Sequence, residues 1–163
     1  MNSDVVLEVN NLHKTFGYNS IHNGVTFNLK QKEILGLFGS SGTGKSVILR
    51  SIIGLEKPDQ GSIFFENNDV TKLSEIDLIP IRKKIGYVFQ NGALFDSLSV
   101  EENLSYPLKE HTTLTSEEIN QKVNRMLDRI DMTGSNHLLP AELSGGMQKR
   151  AGLARAIILE PEI

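Results

Sequence analysis

Gly39-Ser40-Ser41-Gly42-Thr43-Gly44-Lys45-Ser46 is a complete G-x-x-x-x-G-K-[ST] sequence, and its reading decides the fold. An apolar run, residues 33–38 (EILGLF), precedes it, and a helix-like segment, residues 45–53, follows and stops at Gly54. Strand, glycine loop and helix in that order make a phosphate loop. Glycines let the backbone wrap around a phosphate with successive N–H groups pointing inward, and the helix adds the positive end of its dipole. Lys45 is expected to place a point charge on the β- and γ-phosphates, and the Ser46 hydroxyl to ligate Mg²⁺. A match at the specified positions arises by chance in roughly one chain in a hundred of this length, and the strand-before, helix-after context lowers that further.

A chain of 163 residues is one domain by length and can bury roughly two-thirds of its unfolded surface. The net charge is −3 with Lys and Arg spread along the chain, so the basic footprint of a nucleic-acid binder is missing. No cysteine is present, which removes disulfides and thiolate metal sites. No apolar run approaches the length of a membrane span, and the first residues, MNSDVVLEVNN, are acidic rather than a basic-then-apolar signal. These features read as cytosolic.

Outward from the loop toward the N-terminus, residues 5–12 alternate loosely, and residues 24–30 alternate cleanly with Val25, Phe27 and Leu29 on one face. The reading is two strands joined by a connection over residues 14–23. Phe16 and Tyr18 flank Gly17 in that connection, either as turn aromatics or as a ring stacked on a nucleotide base. Beyond the loop helix come a turn at residues 56–61, a strand at 62–66 and a second turn at 67–69. A helical segment, residues 74–84, carries Pro80, which should bend or divide it. A short buried-type strand at 85–89 (IGYVF) then ends at Gln90. A polar residue at the end of a central α/β strand lies where ligands bind, so Gln90 is either an ordinary strand-end amide or a ligand of Mg²⁺ and water.

From there the pattern is helical. Ser99-Val100-Glu101-Glu102 and Thr115-Ser116-Glu117-Glu118 both fit the S/T-x-x-E capping box. After the second, Ile119, Val123, Met126, Leu127 and Ile130 form one apolar stripe of core residues, and Gly134 is read as the helix end. Leu143-Ser144-Gly145-Gly146-Met147 follows, ahead of a helix-like run over residues 148–159. This is a second helix N-terminus with free N–H groups, a serine hydroxyl and no side chains to block approach. His13, His22, His111 and His137 lack paired ligand spacing. Lys83-Lys84 and Lys149-Arg150 read as solvated helix faces.

Gly39 to Ser46, Gln90 and Leu143 to Met147, in this order and separated by a helical stretch, resemble the nucleotide-binding domain of ABC transporters over essentially the whole chain. The resemblance implies an α/β P-loop NTPase of ABC type with an N-terminal β-subdomain, a RecA-like core and an inserted helical subdomain over residues 91–143. The 39–46 stretch matches the Walker A motif, Gln90 the Q-loop glutamine and Leu143-Ser144-Gly145-Gly146 the ABC signature. Phe16 matches the aromatic that stacks on adenine, with Tyr18 a second candidate. Asn91-Gly92-Ala93-Leu94-Phe95 and Tyr106-Pro107-Leu108-Lys109-Glu110-His111 are similar to the ATPase subunit of Mla-type phospholipid transport systems. Met147 stands where most family members carry glutamine, as in that subtype.

The resemblance further implies ATP and Mg²⁺ as cofactors, a head-to-tail homodimer with each ATP between one subunit's Walker A and the other's Ser144 to Gly146, and membrane-embedded permease partners. Lys45, Gln90 and, in trans, Ser144 would be catalytic; nucleic acid is not an expected partner. The location implied is cytoplasmic, on the inner face of the membrane through the permeases. In this family the segment resembling residues 155–163 leads into an apolar strand ending in Asp-Glu, the Walker B aspartate and catalytic glutamate. No apolar run of this chain ends so, and the expectation is the N-terminal part of a longer chain, inactive alone and with apolar sheet surface left uncovered. A nucleotide-binding module without catalysis and a soluble ABC ATPase of DNA repair or translation are the alternatives; the acidic balance and the Q-loop region argue against the last.

Overall fold

The computed structural model describes residues 4–90 and 92–163. The chain divides into two compact units, Met1–Arg82 and Lys83–Ile163.

The first unit is built on an antiparallel sheet. Strands β1 (Val5–Phe16), β2 (Asn19–Lys30), β3 (Gln60–Phe65) and β4 (Asn68–Asp69) stand in the order β2-β1-β3-β4. The loose alternation of β1 has a cause. Asn11 takes a φ of 48° and the register shifts between Val9 and Leu12, so Leu7 and Val9 face the core before this bulge, and Leu12 and Lys14 after it. Val9 pairs with Phe27 on one side and Ile63 on the other. The expected connection over residues 14–23 is itself paired: Phe16 meets Asn19, leaving a two-residue turn in which Gly17 adopts a φ of 57°. Helix α1 (Lys45–Ile52) follows the glycine loop and stops at Ile53, with Gly54 left-handed at 69°. Helix α2 (Glu75–Lys84) runs undivided through Pro80, against expectation. Arg82 braces it on the unit, donating to the carbonyls of Ile53 and Gly54 and to Glu75.

The second unit is helical: α3 (Val100–His111), α4 (Ser116–Arg129) and α5 (Gly145–Ile157). Val100, Leu104 and Leu108 of α3 recur every fourth residue and pack with Ile119, Val123, Met126 and Leu127 of α4 and Ala151, Ala154 and Ile158 at α5. Ile130 packs on this core half-buried. Helix α4 ends at Arg129, earlier than expected; Asp131 takes the left-handed conformation (φ 52°) ahead of Gly134 (φ 83°). Both capping boxes form. The backbone N–H groups of Ser99 and Thr115 donate to Glu102 and Glu118 at 2.7 and 2.8 Å, and these bonds hold both carboxyls below the usual glutamate range. Because the folded-state value is the lower one, the stabilisation is complete above the ordinary range and lost as pH falls through the lowered value. Glu102→Ala and Glu118→Ala are each expected to lower the melting temperature at neutral pH and to flatten its fall on acidification; a melt series that keeps the wild-type acid limb would refute this.

Two strands expected from the sequence do not form. Residues 33–40 and 86–89 carry neither helix nor strand, and Ile34 and Phe38 are 98% and 96% exposed. A central parallel strand needs a neighbour on each side to satisfy its backbone, and among the described residues the only sheet is the antiparallel one. The second segment does begin a pairing. Ile163 N–H donates to the Lys84 carbonyl at 3.1 Å and Gly86 N–H to the Ile163 carbonyl at 2.6 Å, the two bonds that frame a parallel match of Ile85 with Ile163. Lys84, read as solvated, meets Glu162 at 3.0 Å.

Candidate functional site

In the first unit the 39–46 loop opens α1 without any side-chain cap, leaving the helix N–H groups to whatever the loop encloses. Gly44 is the N-cap with φ 90°, and Gly42 has φ 84°. A Cβ on Gly44 would stand 2.4 Å from Ile21 Cγ2 and 2.6 Å from His22 Nε2, so both conformation and space require glycine there. Lys45 Nζ donates to the Gly39 and Ser40 carbonyls at 2.7 Å each, and Thr43 Oγ1 donates to the Ser40 carbonyl at 2.9 Å. The first turn of α1 contains no acidic residue, so nothing in it repels an anion. Ser41 and Ser46 are exposed.

One residue read only as a non-ligand histidine turns out to hold the loop. His22, 4% exposed in β2, lies 3.1 Å through Nε2 from the Gly44 carbonyl. A carbonyl can only accept, so the proton is on Nε2. The β1–β2 hairpin that carries Phe16 at its tip is thereby tied to the glycine loop. Phe16 is 45% exposed and Tyr18 fully so.

In the second unit Gln90 lies in an exposed turn rather than at the end of a strand. Asn91, which opens the expected Q-loop motif, lies outside the described residues. Ser144 caps α5, its Oγ accepting from Met147 N–H at 3.3 Å. Its hydroxyl proton stays available for an outside acceptor. Gly145 and Gly146 are exposed, with open space where a Cβ on Gly145 would stand, and the first turn holds no acidic residue. Leu143 anchors the approach at 6% exposure, and Gln148 Nε2 donates to the Pro140 carbonyl at 2.9 Å. Met147 packs half-buried on the helical core, a place suited to its apolar side chain. Helix α5 therefore presents an uncovered N-terminus able to hold an anion.

Sequence reasoning missed how the segment after Gln90 is held on α5. A Cβ on Gly152 would fall 2.5 Å from Gly92 Cα, so the two backbones touch. Arg155 donates to the carbonyls of Gly92 and Ala93 at 3.3 and 2.6 Å and to Asn103 Oδ1 at 3.2 Å. Its guanidinium lies 5.1 Å from the Phe95 ring centroid, and burial lowers its pKa from the usual value. Asn103, fully buried, accepts from Phe95 N–H and donates to the carbonyls of Phe95, Leu98 and Ser99. Helix α5 and the segment from Gly92 to Phe95 form one packed body. Neither Asn103 nor Arg155 belongs to a local pattern that could have announced this.

Among known proteins, the probable ribonucleotide transport ATP-binding protein mkl of Mycobacterium tuberculosis is 45% identical over 159 residues, covering 98% of this chain and 44% of the relative. The intermembrane phospholipid transport system ATP-binding protein MlaF of Haemophilus influenzae is 40% identical over 163 residues, covering all of this chain and 61% of that protein. The chain thus spans about half the length of these relatives. The ATP-binding cassette MJ0796, in a dimeric post-hydrolysis structure bound to ADP and Pi, superimposes with a TM-score of 0.87 at 32% identity, over 95% of this chain and 70% of that one. The family model for ABC transporters matches residues 22–163. Matched over most of its length, the chain belongs to the ABC transporter family.

Proposed function

We propose that this chain is the ATP-binding part of an ABC transporter subunit that uses ATP to move phospholipid between membranes. The observation that carries the nucleotide part is the 39–46 loop: glycines in conformations that only they adopt easily, an uncapped helix behind them and Lys45 Nζ on the loop carbonyls. Such a loop suits the phosphates of Mg-ATP, with Ser46 as a metal ligand, Gln90 as a ligand of Mg²⁺ and water, and Phe16 beneath the base. Ser144, Gly145 and Gly146 would close the site from a second copy of the subunit, supported by the dimeric state of MJ0796. ATP turnover is proposed on the same family likeness. No helix among the described residues is long and apolar enough to cross a membrane; attachment to the inner face would run through permease subunits.

The phospholipid substrate rests on the likeness to MlaF. The likeness to mkl, named for ribonucleotide transport, supports a second reading. The full-length protein purified with its membrane partners separates them: phospholipid vesicles are expected to stimulate ATP turnover and free ribonucleotide monophosphates to leave it unchanged. Stimulation by the monophosphates alone would replace the first reading with the second.

A further inference from the structure

Lys14 is buried and bound, yet nothing in the phosphate site uses it. Its ammonium meets Glu56 at 2.6 Å, the Lys57 carbonyl at 2.7 Å and Asp59 at 3.7 Å, all from the turn that follows α1. Only 11% of its side chain is exposed, an unusual setting for lysine. Residues two apart on a strand share a face, and Lys14 Nζ lies 4.9 Å from the centroid of the Phe16 ring, within cation–π range. Asp59 reinforces the same corner, its carboxylate accepting from Thr15 N–H at 2.7 Å and its N–H donating to the His13 carbonyl at 2.9 Å.

We infer that Lys14 is a positioning residue for nucleotide binding: a fixed cation that holds the Phe16 ring at the hairpin tip and leaves its outer face as the platform for a purine base. The inference rests on the reading of Phe16 as the base-stacking residue. A half-exposed ring beside a glycine with open space around it has little else to restrain it. The ammonium is restrained independently of the ring, by groups at the far end of the helix that starts in the phosphate loop. His22 secures the same hairpin at the near end of α1. Base platform and phosphate loop are therefore referred to one helix, and their separation is set before a nucleotide arrives. Stacking on a ring is tolerant of base identity, so the platform favours nucleotides over bare polyphosphate without choosing adenine over guanine.

Calorimetric titration of the purified protein with Mg²⁺ complexes of ATP, GTP and inorganic tripolyphosphate tests this. Lys14→Met is expected to weaken ATP and GTP alike by about three- to tenfold and to leave tripolyphosphate unchanged. Phe16→Ala should weaken both nucleotides at least as much, and the double variant should be no weaker than Phe16→Ala alone. Lys14→Arg, which keeps the cation, should restore most of the affinity. Wild-type ATP affinity in Lys14→Met, equal loss of tripolyphosphate, or penalties that multiply in the double variant would each overturn the inference. Should Lys14→Met fail to melt cooperatively, Glu56→Gln carries the test: the ammonium stays but its charged anchor goes, and a nucleotide-specific loss of about two- to threefold is expected, with wild-type affinity overturning the inference. Undiminished ATP binding in Phe16→Ala would defeat the base-platform reading itself and the role of Lys14 with it, whereas loss in Phe16→Ala without loss in Lys14→Met defeats only the latter.

Discussion

Lys45→Ala in the full-length protein is expected to lower ATP turnover by at least about a hundredfold, the range in which one lost donor to developing charge falls, with little change in the melting temperature. The two halves of that expectation have separate grounds. Lys45 Nζ donates to the carbonyls of Gly39 and Ser40 in an exposed loop, and water can take over both acceptors, so the fold loses little. A triphosphate in the proposed site would have no such substitute: the compact charge to meet its β- and γ-oxygens would come from this side chain. Steady-state turnover and a thermal melt on the same preparation decide the matter. Wild-type turnover would end the reading of this loop as the ATPase site, and a collapse of the melt would recast the lysine as a structural tie.

The second large effect concerns Asn103. Asn103→Ala is expected to reduce the stability of the helical unit by about 3 kcal/mol, read as a lower urea midpoint at unchanged slope. Its side chain is fully buried and serves Phe95 N–H, three carbonyls and Arg155 at once. Removing it takes the partner from several part-buried polar groups at once, and each that stays unpaired carries its own desolvation penalty. It also takes an acceptor from a half-buried guanidinium. A loss below about 1 kcal/mol, the ordinary effect of a point substitution, would show that the loop repairs its own hydrogen bonds.

What could be read in the sequence was local. The glycine loop with the helix behind it, the two capping boxes, the Ile119 to Ile130 stripe and the face shared by Val25, Phe27 and Leu29 each declare themselves within a few residues, and each stands in the structure as a local feature. What escaped notice depends on partners far away in the chain. Lys14 finds its acceptor 43 residues on, and Arg155 reaches back 52 residues to Asn103. The bulge at Asn11 blurred the alternation of β1 because one extra residue moves every later side chain to the other face. Pro80 was read from its intrinsic cost, yet the contacts of Arg82 and the buried Leu78 and Ile81 hold α2 together across it. The apolar runs at 33–38 and 85–89 have strand composition, but among the described residues no parallel ladder forms on them beyond the one match of Ile85 with Ile163. Phe16 and Lys14 lie ahead of the region matched by the family model, which starts at residue 22, so their pairing is visible only in three dimensions.

The single match of Ile85 with Ile163 bears on the order in which the protein folds. Its two ends enclose the whole of the helical unit, and closing so long a loop is entropically unrewarded until the intervening chain has collapsed. Helices α3, α4 and α5, whose contacts lie nearer in sequence, are therefore the part that assembles early, and they bring the ends together as they do. The match of Ile85 with Ile163 would then be a late event, templated by a finished helical unit rather than competing with it.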